Sequence, residues 1–199
     1  MISAIVLAAG EASRFGAQKL VAPIGGVRLI RRTVENVLAA PVEEVVVVVG
    51  REAEAVREAL AGLRVRFAHN PRYREGMSTS IAAGIRSLGP MTRAALIVLG
   101  DQPELAPEVV GALIRAYRET GKPIVVPVYA GTRGNPVLFD ASIFPELLAV
   151  RGDRGGREVV GRDPGRVHRV EFPFPPPRDV DTPADYEALL GRRGSSPAG

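Results

Sequence analysis

The chain contains no cysteine, which rules out disulfide bridges and thiolate-held metals and is compatible with a reducing compartment. No apolar run approaches the ~20 residues that a membrane helix needs. The N-terminus opens on a strand-like segment and lacks the basic stretch, apolar core and cleavage site of an export signal. A cytoplasmic, soluble protein with no membrane partner is therefore expected. Aromatic residues make up only 5% of the sequence, which leaves few platforms on which single-stranded bases could stack. Although the formal net charge is +4, arginines are spread along most of the chain with acidic residues among many of them, so no nucleic-acid partner is expected. A basic surface of that kind serves equally to attract a small polyanion. The two histidines, His69 and His168, are scattered and take no role. Lysine is nearly absent too: of 26 basic residues only Lys19 and Lys122 are lysines.

With 46% hydrophobic residues in 199, there is material for one well-filled core and no sign of a second domain or an internal repeat. Short apolar or β-branched runs at Ile2 to Ala8, Val45 to Val49, Val65 to Ala68, Ala94 to Leu99 and Ile124 to Val128 predict buried strands. Between them, Leu29 to Leu38, Glu52 to Leu60, Thr79 to Leu88 and Pro107 to Tyr117 carry helical patterns. Such alternation predicts right-handed βαβ crossovers in a mostly parallel sheet covered on both faces, an α/β class, three-layer α/β/α sandwich. After Gly131 the pattern loosens into a turn entering a strand, a glycine-rich loop at Gly152 to Gly156 before a short helix, and a last strand at Val167 to Phe172. Thr182 caps a final helix, with Pro183 in its first turn and Asp185 where the helix dipole favours a carboxylate. The domain is expected to span residues 1–190, with a frayed tail over 191–199.

The first strand runs into Gly10-Glu11-Ala12-Ser13-Arg14-Phe15-Gly16-Ala17-Gln18-Lys19. Two glycines let main-chain N–H groups approach an anion, and Arg14 and Lys19 add positive charge, so the loop is suited to a polyphosphate. A chain that uses arginine almost everywhere keeps lysine at position 19, where a compact, flexible ammonium meets a phosphate oxygen as a point charge. The same loop lacks the Gly-x-Gly-x-x-Gly fingerprint of a dinucleotide-dependent oxidoreductase. Ligands of such sheets sit beyond the carboxyl ends of the strands. There Gly100-Asp101-Gln102-Pro103 presents Asp101, either a turn-forming aspartate or an oxygen ligand for a hard cation such as Mg²⁺. Asp181, in Asp179-Val180-Asp181-Thr182, is a second metal ligand or an ordinary acid beside a helix cap.

These blocks, together with Leu7-Ala8-Ala9-Gly10, Asn70-Pro71, Gly76-Met77-Ser78-Thr79-Ser80, Gly131 to Val137 and Gly152 to Arg157, resemble the MobA-like nucleotidyltransferases of the GT-A-like group. The nearest branch by motif is the molybdenum cofactor cytidylyltransferase type. The resemblance implies that Leu7, Ala8, Ala9, Gly10, Arg14, Gly16 and Lys19 hold a nucleoside triphosphate, with Ser78 and Ser80 near its base or sugar. It implies Mg²⁺ on Asp101 and Asp181, and Arg14, Lys19 and Asp101 at the catalytic centre. A pterin phosphate would attack the α-phosphorus in line and pyrophosphate would leave, chemistry that needs positioning and charge neutralisation more than a covalent nucleophile. Gln102, Arg133, Gly134, Asn135 and Pro136 are the candidates for contacts with a molybdopterin-type acceptor; the alternative for the Arg133 stretch is a plain surface turn. Ala9, where the guanylyltransferases of the group carry glycine, leans the nucleotide toward CTP over GTP. Asn135 stands where the branch often has histidine and cannot titrate near neutrality. Transfer to another phosphorylated acceptor, and a catalytically silent partner that delivers cofactor to a molybdoenzyme, are the competing functions.

Overall fold

The computed structural model describes residues 1–10, 19–180 and 182–191; Arg14, Gly16, Asp181 and the expected tail beyond Gly191 lie outside the described residues. In chain order the elements are β1 (Ile2–Ala8), β2 (Pro23–Ile24), β3 (Val27–Arg28), α1 (Leu29–Leu38), β4 (Glu44–Val49), α2 (Ala53–Ala59), β5 (Arg66–His69) and α3 (Met77–Ser87). There follow β6 (Ala94–Leu99), α4 (Pro107–Thr120), β7 (Ile124–Tyr129), β8 (Thr132–Arg133), β9 (Val137–Asp140), α5 (Phe144–Ala149), α6 (Gly155–Arg162), β10 (Val167–Phe172) and α7 (Pro183–Gly191). Among the described residues no helix is long and apolar enough to cross a membrane.

Strand order in the main sheet is β10-β7-β9-β6-β1-β4-β5, with β8 added beside β7. β1 lies between two parallel partners, in register Ala4↔Val45 with β4 and Ala4↔Leu96 with β6. A strand in that position is buried on both faces, which explains why β1 reads as an unbroken apolar run and not as an alternation. Ile2, Ala4, Val6 and Ala8 face one layer, built from α1, α2 and α4 through residues such as Ile30, Val34, Val56, Leu113 and Ile114. Ile5 and Ala9 face the other, where α3, α5 and α6 contribute Ile81, Ile85, Leu147, Val159 and Val160. The expected three-layer α/β sandwich with a mostly parallel sheet is therefore the observed one.

One strand runs the other way. β9 is antiparallel to both β6 and β7, paired Leu96↔Leu138 and Val125↔Leu138, so its last residues meet the first residues of its neighbours. Its far end is fixed by Asp140, which accepts a 2.5 Å hydrogen bond from the Tyr117 phenol and another from Ser142 N at 2.9 Å. Burial pushes the Tyr117 phenol up to about 12, with the Asp140 hydrogen bond adding to the rise. At Asp140 burial is the largest single influence and acts upward, but the hydrogen bonds from Tyr117 and Ser142 together prevail and hold the carboxyl below its ordinary value. A carboxyl depressed in the folded state stabilises above its ordinary pKa, and that stability is lost as pH falls through the depressed value. Tyr117→Phe should therefore lower stability by about 0.5–1 kcal/mol near neutrality. The difference from the parent should shrink in acid, as melting temperatures from neutral to acid pH would show.

The final helix follows the capping pattern expected of it. Thr182 Oγ1 accepts from Asp185 N at 3.2 Å while Asp185 Oδ2 accepts from Thr182 N and Oγ1, both at 2.7 Å. Helix α7 then includes Gly191, one residue past the expected boundary. Its Tyr186, Leu189 and Leu190 cover Ile24, Leu29 and Val180, so the β2–β3 hairpin and the chain end close one side of the fold together.

Candidate active site

β1 ends at Ala8, and the chain leaves the sheet through buried Ala9 and exposed Gly10. It returns in a tight turn at Lys19 to Val21, anchored by burial of Val21 and by the Arg28 guanidinium, which donates to Val21 O at 2.7 Å. Lys19 is thereby set beside the carboxyl end of β6, only 8% exposed, with Nζ 2.8 Å from Asp101 Oδ2. Asp101 itself sits at the end of a rigid path. Gly100 N donates to Leu7 O at 3.0 Å, and a Cβ at Gly100 would lie 2.7 Å from that same oxygen, so only glycine lets β6 turn across β1 here. Buried Thr33 on α1 donates to Gly100 O at 3.0 Å. Beyond Asp101, Val180 N donates to Asp101 O at 3.1 Å, which draws the second acidic segment, remote in sequence, to the first.

Lys19 and Asp101 line a cavity of about 540 Å³ over the ends of β1 and β6, together with Leu7, Ala9 and Gly10. Its opposite wall comes from the segment before α3 and the first turn of that helix: Tyr73, Arg74, Gly76, Met77 and Ser80, with Asp153 closing the rim. Gly76 has φ of +105°, and a Cβ there would meet the Gly152 carbonyl carbon at 2.5 Å. The two glycine-containing motifs are thus pressed against one another, and Asp153 Oδ1 accepts from Met77 N at 3.2 Å across the junction.

Asn70 organises this wall from behind. It is 3% exposed; its Nδ2 donates to Thr79 Oγ1 at 2.9 Å and Ser80 Oγ at 3.0 Å, and its Oδ1 accepts from Arg72 N at 3.0 Å. Because Ser80 Oγ already accepts from Asn70, its own proton is left to donate toward the cavity. Asn70→Ala should leave the α3 hydroxyls without their partner, cost about 1–3 kcal/mol of stability and weaken nucleotide binding about tenfold. Thermal melts and nucleotide titration of the variant check both.

Of the residues singled out from sequence, the structure gathers Leu7, Ala9, Gly10, Lys19, Ser80 and Asp101 on one cavity. Ala8 and Ser78 are buried beside it and do not line it. Gln102 is 4% exposed and turned sideways: its Nε2 donates to Asp179 Oδ1 at 2.7 Å, and among the described residues its Oε1 has no hydrogen-bond partner. Arg133 ends β8, and Gly134, Asn135 and Pro136 form the turn from it to β9, on the same edge of the sheet but outside that cavity's lining. The turn is held from below by Gly134 N donating to Pro127 O at 3.1 Å and by the Tyr129 hydroxyl donating to Asn135 O at 2.7 Å. Burial pushes the Tyr129 phenol well up, keeping it a donor. Tyr73, Arg74 and Asp153 were not expected in the lining; the two glycine motifs that flank them, at Gly76 and Gly152, were the signal that could have pointed to them.

Among the described residues no group of three His, Cys, Asp or Glu side chains could hold a metal ion. A site built from one or two carboxylates and open to a ligand's oxygens nonetheless suits Mg²⁺, which keeps waters and binds through substrate phosphates. Asp101 fits that donor set: Oδ2 meets Lys19, and among the described residues Oδ1 makes no hydrogen bond.

Similarity to known proteins is extensive. The nicotine blue oxidoreductase of Paenarthrobacter nicotinovorans is 30% identical over 204 residues, 95% of this chain and 96% of its own length. The crystal structure of Rv0371c from Mycobacterium tuberculosis H37Rv superposes with a TM-score of 0.85 at 30% identity, covering 96% of this chain and 97% of that one. The same protein has been solved in complex with manganese, with a TM-score of 0.80 at 28% identity and the same coverage. A nucleotidyl transferase from Methanothermobacter thermautotroptrophicus, Mth528, gives 0.80 at 30% identity, again over 96% of this chain and 97% of its own. Residues 4–168 match the MobA-like NTP transferase domain, and the chain therefore belongs to the MobA-like NTP transferase family.

Proposed function

We propose that this nucleotidyltransferase moves CMP from CTP to the phosphate of a molybdopterin-type acceptor and releases pyrophosphate. The observation that carries the reading is the Lys19–Asp101 pair at the mouth of β1 and β6, a cation and a carboxylate held together in a cavity with open polar walls. In the reaction an acceptor phosphate oxygen attacks the α-phosphorus, a new P–O bond forms, the bond to the β-phosphate bridging oxygen breaks, and its electron pair leaves on pyrophosphate. Lys19 neutralises charge on the triphosphate, and Arg14 is assigned to the same task. Main-chain N–H groups about Gly10 orient the phosphates. Ser80, held by Asn70 as a donor, addresses an acceptor atom of the base or ribose. Asp101 and Asp181 would hold Mg²⁺, which supplies charge neutralisation between the phosphates. The Arg133 to Pro136 turn and Gln102 are assigned to the acceptor side, Gln102 through Asp179. A cytoplasmic setting suits a soluble enzyme acting on such a cofactor precursor, with a molybdoenzyme as the recipient of the product.

The test is pyrophosphate release with Mg²⁺, a molybdopterin-type acceptor and CTP, GTP, ATP or UTP in turn. CTP-dependent release is the expected result. Release with GTP alone moves the protein to guanylyl transfer, release only with another phosphorylated acceptor changes the acceptor, and tight nucleotide binding without release favours a silent delivery partner. The name of the Paenarthrobacter relative favours one further reading, an oxidoreductase. Oxidation of NADH or NADPH by the protein, with no nucleotidyl transfer, would replace the present reading with that one.

A further inference from the structure

We propose that Arg133, Arg157 and Arg169 form a second anion-binding subsite, beside the nucleotide cavity, that takes a phosphate group of the acceptor. Naming the acceptor rests on the function proposed above; the subsite itself rests on the placement of the three residues. Arg133 pairs with Val128 across β8 and β7, and Arg169 pairs with Val126 across β10 and β7. Val126 belongs to the core layer beneath α6, so by strand alternation Val128, Arg133 and Arg169 all present to that layer. Two strand spacings, ~10 Å, separate the outer backbones. Arginine side chains directed to one side can span that gap. Arg157, in the first turn of α6 on that side of the sheet, is near enough for its charge to act on Arg133, and all three are exposed.

Their charges are left uncompensated. At the other end of α6, Arg162 meets Glu146 at 3.2 Å and Glu158 at 2.9 Å, and Arg166 meets Glu146 at 2.5 Å. Among the described residues Arg133, Arg157 and Arg169 make no ion pair. Glu171 lies on the same face across Val128 from Arg133 and pairs with none of them, so three cations outnumber one carboxylate. Partial burial, and then the positive charges of Arg157 and Arg169, hold the Arg133 guanidinium below its ordinary pKa, the mutual strain of like charges that an anion would relieve. Guanidinium forks match phosphate oxygens in paired hydrogen bonds, and several converging forks suit a tetrahedral oxyanion. The position is also right. Arg133 begins the turn whose other members border the acceptor side, and the β9 strand leaving that turn runs beside β6, whose end carries Asp101.

The experiment titrates the intact protein with inorganic phosphate, followed by ³¹P NMR, with and without saturating CTP and Mg²⁺. The expected result is phosphate binding that survives CTP and is weakened about tenfold in each of Arg157→Gln and Arg169→Gln, and not in the control Arg86→Gln. Phosphate displaced by CTP would assign the three arginines to the nucleotide and overturn the acceptor subsite. Equal affinity in parent and variants, or no phosphate binding with CTP in place, would overturn the proposal outright. CTP binding is read in the same samples. Failure of CTP to bind would sink the proposed function while the phosphate arm still judges the arginines.

Discussion

Asp101→Asn is expected to reduce pyrophosphate release by about a thousandfold or more while the protein still folds, because the change removes charge at the proposed reacting centre and almost no volume. The side chain is partly solvated, at 23% exposed. The cost to stability comes from Lys19, whose side chain is 10% exposed and would face a neutral amide in place of a carboxylate. A buried ion that loses its partner is destabilising, but Lys19 borders an open cavity and regains water, so about 1–2 kcal/mol is expected and not the several of a sealed pair. Circular dichroism and a melting curve measure the first part, and a pyrophosphate assay the second. Turnover near the parent level would remove Asp101 from the chemistry and leave its bond to Lys19 as a purely structural one.

Lys19→Ala carries the second large effect. Loss of the ammonium should weaken binding of a nucleoside triphosphate about a hundredfold, roughly 2.7 kcal/mol, whereas Lys122→Ala should change it less than twofold. Lys122 is exposed and its Nζ donates to Gly165 O at 2.7 Å, a contact between a loop and a turn far from β1 and β6. The comparison matters because these are the only lysines in the chain. Equal effects would mean that lysine at 19 has no special task. Lys19→Arg sharpens the result: a guanidinium keeps the charge but not the point geometry, and recovery of less than half the lost binding energy is the expected outcome. Nucleotide titration by calorimetry reads all three variants.

What could be read from the residues was what depends on near neighbours. β1, α1, β6 and β10 have the bounds their patterning predicts, because apolar runs and caps are local signals. β2 and β3 escaped notice, since two-residue strands beside Gly25 and Gly26 carry no periodicity of their own. α5 was missed for a related reason: Phe144 to Ala149 is six residues long, too short to show a helical face. The direction of β9 was beyond local reading altogether, since Val-Leu-Phe fits either orientation and only pairing with β6 and β7 decides it. The site divides in the same way. Lys19 and Asp101 could be found because each ends an obvious strand or loop, but their 2.8 Å contact could not. Tyr73 and Arg74 have ordinary neighbours in sequence, and their place in the cavity follows from packing between remote segments, such as Gly76 against Gly152.

The reversed strand has a consequence for how such a protein can change. β9 stands between one half of the sheet, made of β6, β1, β4 and β5, and another made of β7, β8 and β10. Its last residues are pinned at the opposite edge, where Tyr117 holds Asp140 and Ala141 N donates to Arg93 O at 2.8 Å. Lengthening, shortening or rewriting residues 130–136 therefore reshapes the second half without moving the register of the first. On the assignment of that turn to the acceptor proposed above, descendants of one ancestral enzyme could keep their nucleotide chemistry intact while trading one acceptor for another at a single turn.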